Sequence, residues 1–258
     1  MISNVWNTVL YHPLINALAF LVSIIPGGDV GVAVIVLTLL VKIILFPLSQ
    51  KGIKNQIAMN MMAPELNKIK ASGVSKEEQT RLTFELYKKH KTNPFSGCLI
   101  QIPAIIVIIS LYSVFLKGVN FDGKLLYSFV HIPTHVNVLF LGIIDITKKS
   151  FILAVLAAIS QYYQFYFMPK PAPSSVASGS VPSFQDSFGK SLNTQMKYFF
   201  PIFIFVLLYT GIPGFIRPLS GAIALYWIIN SAFTIGQQIY VSKTEKNVLD
   251  EEVKTLIS

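Results

Sequence analysis

Charge is what this chain has least of. Of its 258 residues, 13% are Asp, Glu, Lys or Arg and 53% are hydrophobic. A soluble domain of this size is normally about a quarter charged. The shortage is uneven, because long apolar runs hold almost no charge while one segment holds much of it. That is the pattern of a multi-spanning membrane protein. Cysteine is nearly absent too. Cys98 alone excludes an intrachain disulfide and any multi-cysteine metal site; it reads as a small apolar residue. Residues 1–25 contain no Lys or Arg, so the basic start of an ordinary cleavable signal peptide is missing. The apolar runs contain no Asp or Glu, which argues against a carboxylate proton relay or an intramembrane aspartyl protease. Of the four histidines, only His131 and His135 share a segment at metal-type spacing, and Pro133 interrupts them. No glycine-rich phosphate loop is present. Together these absences point to a non-enzyme, and no cofactor is expected.

What the chain does have is a series of apolar runs. Residues 1–29 read as an interfacial amphipathic helix, broken at Pro13, with a turn at Pro26-Gly27-Gly28-Asp29. Trp6, Tyr11, His12 and Asn16 are expected at headgroup level. Residues 30–50 form a first span, since about 20 mostly apolar residues cross a bilayer. Lys42 lies near its middle, at a cost of roughly 2.5–3.5 kcal/mol on insertion scales. Residues 51–94 hold nine Lys or Arg and four acids and read as a cytoplasmic basic helical hairpin. Within it, Pro64 kinks or restarts the first arm, and Ser75 with Glu78 makes a capping-box pattern. A second span is expected at 95–116, an external loop at 117–149 and a third span at 150–168. Residues 169–195, rich in Pro, Ser and Gly, read as a cytoplasmic linker. A fourth span is expected at 196–216, a fifth at 219–241 and a weakly helical cytoplasmic tail at 242–258.

The basic residues set the orientation. With the N-terminus outside, the inner segments hold fifteen Lys or Arg and the outer segments five, as the positive-inside rule requires. The C-terminus is then cytoplasmic. The fold class is therefore all-α and polytopic, with five transmembrane helices, a cytoplasmic helical hairpin and an N-terminal interfacial helix.

Polar residues inside the runs recur at helical spacing. Thr38, Lys42 and Ser49 share a face of the first span. Trp227, Asn230, Thr234 and Gln237 share a face of the fifth, with Ser231 and Gln238 beside them. Gln161 and Gln164 lie in the third, and Gln101, Ser110 and Ser113 in the second. Intramembrane polar residues usually face a bundle interior or a watery cavity, so several striped helices argue for a shared hydrated cavity. The competing readings are plain ones. Lys42 can snorkel to the inner interface, Gln161, Gln164 and Asn230 can make ordinary interhelical hydrogen bonds, and Trp227 can simply pack.

Three stretches resemble the YidC/Oxa/Alb family of membrane protein insertases. The first is Thr38-x-x-x-Lys42-x-x-x-x-Pro47-Leu48, running into the basic hairpin. The second is Asn93-Pro94-Phe95-x-Gly97-Cys98-x-x-Gln101-x-Pro103. The third is Met196-Lys197-Tyr198-x-x-Pro201, then Pro218-x-x-Gly221-x-x-x-Leu225-Tyr226-Trp227-x-x-Asn230, closing with Gln237-Gln238. The resemblance covers nearly the whole chain and is similar to the short bacterial form. It implies a protein that inserts newly made membrane proteins without consuming nucleotide, in the bacterial plasma membrane. It also implies five spans around a hydrophilic groove open to the cytoplasm and lipid, closed outside. The groove's positive residue falls on Lys42, with Gln161 and Trp227 on the third and fifth spans. Thr38, Asn230 and Gln101 complete the expected groove set. The implied partners are nascent membrane proteins, the ribosome, the Sec translocase, the signal recognition particle with its receptor, and the bilayer; nucleic acid is met only through ribosome contact. Two departures stand out: lysine replaces the common arginine at position 42, and Asp250, Glu251 and Glu252 offset the three lysines of the tail. The rival readings are a transporter or channel for a small solute, and a chaperone acting only behind Sec.

Overall fold

Apolar residues at helical spacing fold here as a helical bundle, and prolines decide where several helices begin. The computed structural model describes residues 7–90, 92, 96–116, 121, 123–168, 184–214 and 217–257. Helix α1 (His12–Ile24) carries Pro13 in its first turn, where a missing N–H is unneeded. A π-helical turn, Asn7–Tyr11, ends directly before it, so the helical stretch divides at Pro13 and the α-helix starts there. Helix α2 (Val30–Ile44) and helix α3 (Phe46–Met61) meet at a 63° bend that falls inside the expected first span, residues 30–50. The cause is Pro47, in the first turn of α3. It offers no N–H to the turn before it, and its ring crowds the Ile43 carbonyl.

The hairpin arms are helix α4 (Ala63–Ala71), restarted at Pro64, and helix α5 (Lys76–Lys89). The Ser75 hydroxyl accepts the Glu78 N–H at 3.3 Å, and acids at the start of α5 and lysines at its end complement the helix dipole. Helix α6 is Ser96–Leu116. Strands β1 (Leu139–Phe140) and β2 (Ile144–Asp145) pair antiparallel, Leu139 facing Asp145. Helix α7 (Phe151–Phe167) is capped by Ser150. Helix α8 (Phe184–Tyr209) begins twelve residues before the expected fourth span, so residues 184–195 are helix, not linker. Residues 169–183, the rest of that linker, lie outside the described residues, as do Trp6 and Asn93-Pro94-Phe95. Helix α9 (Gly221–Ile257) runs on through the expected tail as far as Ile257.

Helix α9 is the centre of the bundle. It packs on α7 and α2 most extensively, then on α3, α6 and α8, while α7 packs on α8 and α1 lies on α2 and α6. The core includes the fully buried Leu18, Val34, Ile204, Leu208 and Ile223. Ala33, Ala154, Ala157 and Ala222 are buried at the contacts; such small residues let helix backbones approach closely. Large apolar side chains such as Ile44, Ile152, Phe199 and Ile202 point outward. Among the described residues no single helix is long and apolar enough to cross a membrane, though the bent α2–α3 pair meets that test together. Helix α9 has the length, but its polar stripe dilutes its apolar character.

Residues 123–149 form a cap over one end of the bundle. Asp29 Oδ1 accepts the Gly31 and Val32 N–H groups at 2.8 and 3.1 Å, capping α2, while Oδ2 accepts the Leu141 N–H at 2.8 Å. Val30 N–H donates to the Asn137 carbonyl, and Asn137 N–H to the Gly28 carbonyl, both at 2.9 Å. The first N–H groups of α9, from Gly221 and Ala222, donate to the Lys148 and Ile146 carbonyls at 2.8 and 3.0 Å. These groups would otherwise be orphans of a helix start. The Asn16 amide donates to the His12 and Leu125 carbonyls and accepts the Tyr127 N–H at 2.6 Å. Asn16 and Tyr11 are buried against the protein, and the cap claims the Asn16 amide that the sequence alone left without a partner.

Candidate functional site

The bend between α2 and α3 turns the chain toward α9, and there the polar residues meet. Lys42, in the last turn of α2, donates from Nζ to Thr234 Oγ1 at 3.0 Å. Thr234 in turn donates to the Asn230 carbonyl at 2.7 Å. One turn along α9, Gln237 Nε2 donates to the Phe46 carbonyl at 3.1 Å and to Ser49 Oγ at 2.8 Å. Gln237 therefore braces the bend from the opposite helix. No carboxylate of the described residues pairs with Lys42. The ammonium is held by a neutral hydroxyl, which leaves its charge available to an anionic group.

Two turns toward the capped end, the Trp227 indole N–H donates to the buried Gln161 side-chain carbonyl, joining α9 to α7. The interval from Trp227 to Thr234 is seven residues, about 10 Å of helix, so the two polar contacts lie at different depths of one seam. Between and beside them, Asn230 Oδ1, Ser231 Oγ, Gln238 Oε1 and Gln164 Oε1 are buried with no partner among the described residues. Buried polar atoms without a protein partner are groups that a water or a polar ligand can satisfy.

The expected residues are brought together in part. Lys42 and Asn230 are linked through Thr234, and Gln161 is linked to Trp227. Thr38 is fully buried and turns its hydroxyl back onto the Val34 carbonyl at 2.6 Å, so it packs α2 instead of lining an opening. The Gln101 side chain, like that of Cys98, lies outside the described residues. Thr234, Gln237 and Ser49 fall outside the expected groove set, yet they make the direct contacts. Their signal is the polar stripe itself; what sequence withholds is the register between helices.

Below Gln161, the α7–α8 contact ends in an aromatic cluster. Lys197 Nζ lies 4.9 Å from the Tyr166 ring centre, 5.4 Å from Tyr198 and 5.6 Å from Tyr162. Aromatic faces attract a cation at this range.

Outward-facing apolar helices around a seam of buried amides, hydroxyls and one ammonium define a helical protein of the membrane class. The chain belongs to the 60Kd inner membrane protein family, whose model matches residues 20–248. It is 30% identical over 241 residues to the membrane protein insertase YidC of Fusobacterium nucleatum, covering 91% of this chain and 97% of that one. It is 29% identical over 264 residues to membrane protein insertase YidC 1 of Lactococcus lactis, covering 99% and 82%. Against the membrane protein insertase YidC of Oleidesulfovibrio alaskensis the identity is 28% over 234 residues, covering 90% of this chain and 38% of the relative. The chain thus spans well under half the length of that longer relative.

Proposed function

We propose that this chain is a membrane protein insertase: it inserts newly made membrane proteins and helps them fold, without enzymatic turnover. The observation that carries this reading is the polar seam of α2, α7 and α9, centred on Lys42 and Thr234, in a chain of a family whose relatives include proteins named membrane protein insertase. Five crossing segments fit the helices: α2 with α3, then α6, α7, α8 and α9. The seam is the wall of a hydrophilic groove, open toward the cytoplasm and closed outside by the 123–149 cap.

The mechanism rests on elementary electrostatics. A substrate's short polar tail cannot cross about 30 Å of hydrocarbon unaided. A hydrated groove shortens the dry path. Lys42 attracts acidic residues of the tail, and the attraction strengthens where the dielectric is low. Unpartnered buried groups such as Asn230 and Gln238 replace water around the passing backbone. Apolar segments then leave past Trp227 into lipid, driven by burial of their side chains. The basic hairpin suits reception of substrate from the ribosome, and the Sec translocase and the signal recognition particle with its receptor are the further partners. The N-terminus lies outside and the C-terminus in the cytoplasm.

Purified protein in liposomes is expected to insert a single-span substrate without Sec components. Photocrosslinkers at positions 42, 161 and 227 are expected to capture a stalled nascent chain. Insertion only when Sec is present would convert the reading to a chaperone. Solute flux without insertion would convert it to a transporter.

A further inference from the structure

The cap over the outer end has a second property, separate from its grip on the helices. Residues 125–144 contain no Asp, Glu, Lys or Arg, which is unusual for twenty residues of loop. Many of their large apolar side chains are also uncovered. Ile143 is 81% exposed, Phe129 74% and Leu141 66%, with Ile132 exposed beside them. Scattered exposed apolar residues are ordinary, but a charge-free loop that presents this many marks a surface for an apolar medium or partner.

The backbone points the same way. Leu141 and Gly142 lie at the tip between β1 and β2, with φ of +52° and +72°. Glycine, asparagine or aspartate is the usual choice at such a φ. A leucine there keeps an apolar side chain at the tip against its own backbone preference. The tip's N–H groups are also satisfied: Gly142 donates to the Leu139 carbonyl and Ile143 to the Phe140 carbonyl, both at 3.0 Å, and Leu141 donates to Asp29. A hairpin whose donors are used internally can enter a poorly hydrated layer at little cost.

The neighbours extend the same surface. The loop runs alongside α1, touching it at Asn16 and reaching the turn beyond it at Gly28. Helix α1 carries no Asp, Glu, Lys or Arg and exposes Phe20 and Ile24. Three and four residues past β2 lie the exposed Lys148, which pairs with Asp145 at 2.9 Å, and Lys149, whose Nζ is 4.8 Å from the Tyr209 ring centre; Lys149, with no carboxylate beside it among the described residues, stands where phosphate headgroups would be met. Charge-free tip, apolar side chains and flanking lysines together match the profile of a bilayer interface better than that of a protein partner, which would be met by a polar rim.

We propose that the 125–144 loop, and the Leu141–Ile143 tip above all, is seated in the outer-leaflet interface, so that the cap anchors the bundle in lipid as well as closing it. The proposal rests on the outward placement of this end, and on no property of the groove.

The test is a depth measurement on the full chain in vesicles of phosphatidylethanolamine and phosphatidylglycerol. Single spin labels are placed at positions 129, 141 and 143, with Thr147 as the control, on a Cys98→Ser background. Collision with dissolved oxygen is expected to exceed collision with a water-soluble nickel chelate at 129, 141 and 143, and to fall below it at 147. Preferential access by nickel at 141 and 143 overturns the proposal. Protection from both reagents also overturns it, since that would place a protein partner or a second copy on the tip. Should Cys98→Ser lower the yield of folded protein, Ile143→Trp in the parent chain serves instead. Quenching of its added fluorescence by lipid brominated high on the acyl chain supports the proposal; unquenched emission refutes it. Neither readout needs insertion activity, so failure here leaves the insertase reading intact, and failure of that reading leaves this one intact.

Discussion

At one end of the bundle the 123–149 cap binds the starts of α2 and α9 and the side of α1 through backbone and buried side-chain hydrogen bonds. At the other, α4 and α5 contact mainly each other. Leu86 of α5 and Met62, at the junction of α3 and α4, are buried but stand apart from the main core, and the ion pairs of the arms are exposed. Glu65 meets Lys89 at 3.8 Å and His90 at 3.5 Å, while Arg81 pairs within α5 with Glu78 and Glu85. The Arg81 hydrogen bond holds the Glu78 carboxyl below its usual range. The contrast teaches how the molecule divides its tasks. The capped end is held by short, buried, geometrically demanding contacts. The hairpin end is held by exposed, screened charges.

If that contrast is right, the largest effect belongs to the cap's tightest approach. Gly28 has φ +62°, and a Cβ there would lie 2.1 Å from the His135 carbonyl oxygen. Gly28→Val meets both a forbidden backbone and a collision with main chain. It is expected to destabilise by more than about 4 kcal/mol, read as loss of a monodisperse folded species in detergent. A folded Gly28→Val with unchanged Tm would mean that the cap is loose, and the contrast would fail.

Asp29→Ala comes next. It removes the cap of α2 and strands three N–H groups, those of Gly31, Val32 and Leu141. Loss of an N-cap costs about 1 kcal/mol and stranded buried donors add to it, for about 2–4 kcal/mol in all. Thermal unfolding in detergent measures it. Asp29→Asn should recover part of the loss, since the amide oxygen can still accept.

Between the two ends sits the seam, where the effect is on function more than on stability. Lys42→Ala is expected to lower insertion of a substrate with an acidic external tail about tenfold, equal to about 1.4 kcal/mol. Lys42→Arg is expected to keep it. The measurement is protease protection of the substrate tail in proteoliposomes. Equal insertion by wild type and the alanine variant would remove the charge from the mechanism.

These residues also mark how far the sequence could be read. The helices and the polar faces were legible because apolar and polar residues repeat at helical spacing; Trp227, Asn230 and Thr234 declare one face of α9 without any structure. Pro47 hinted at the bend, but the apolar run continues through it, and composition cannot see a 63° turn. The start of α8 was hidden because residues 184–195 carry no apolar run and gain their helix from continuity with the apolar turns between Tyr198 and Tyr209. The partner of Lys42 was hidden for a different reason. Choosing Thr234 over Asn230 or Gln237 requires the register of α2 against α9, which is fixed by packing of Ala33, Ala222 and their neighbours, 192 residues apart in the Lys42–Thr234 pair itself. The cap was least legible, because Asn16 and Asp29 look like surface residues until a loop 109 to 112 residues away closes on them.

The smallest effect is expected in the hairpin, and it tests the other half of the contrast. Glu65 is the acid that links the two arms, through Lys89 and His90, yet all three side chains are substantially exposed. Exposed ion pairs contribute about 0.2–1 kcal/mol and weaken with salt. Glu65→Ala should therefore lower Tm by no more than the equivalent of about 0.5 kcal/mol, and the difference should shrink as salt is raised. A loss as large as that of Asp29→Ala would mean that the hairpin is held as firmly as the cap. A small salt-dependent loss, with insertion unaffected, places the arms where the contrast puts them: joined to each other by charges that a partner's own charges can replace.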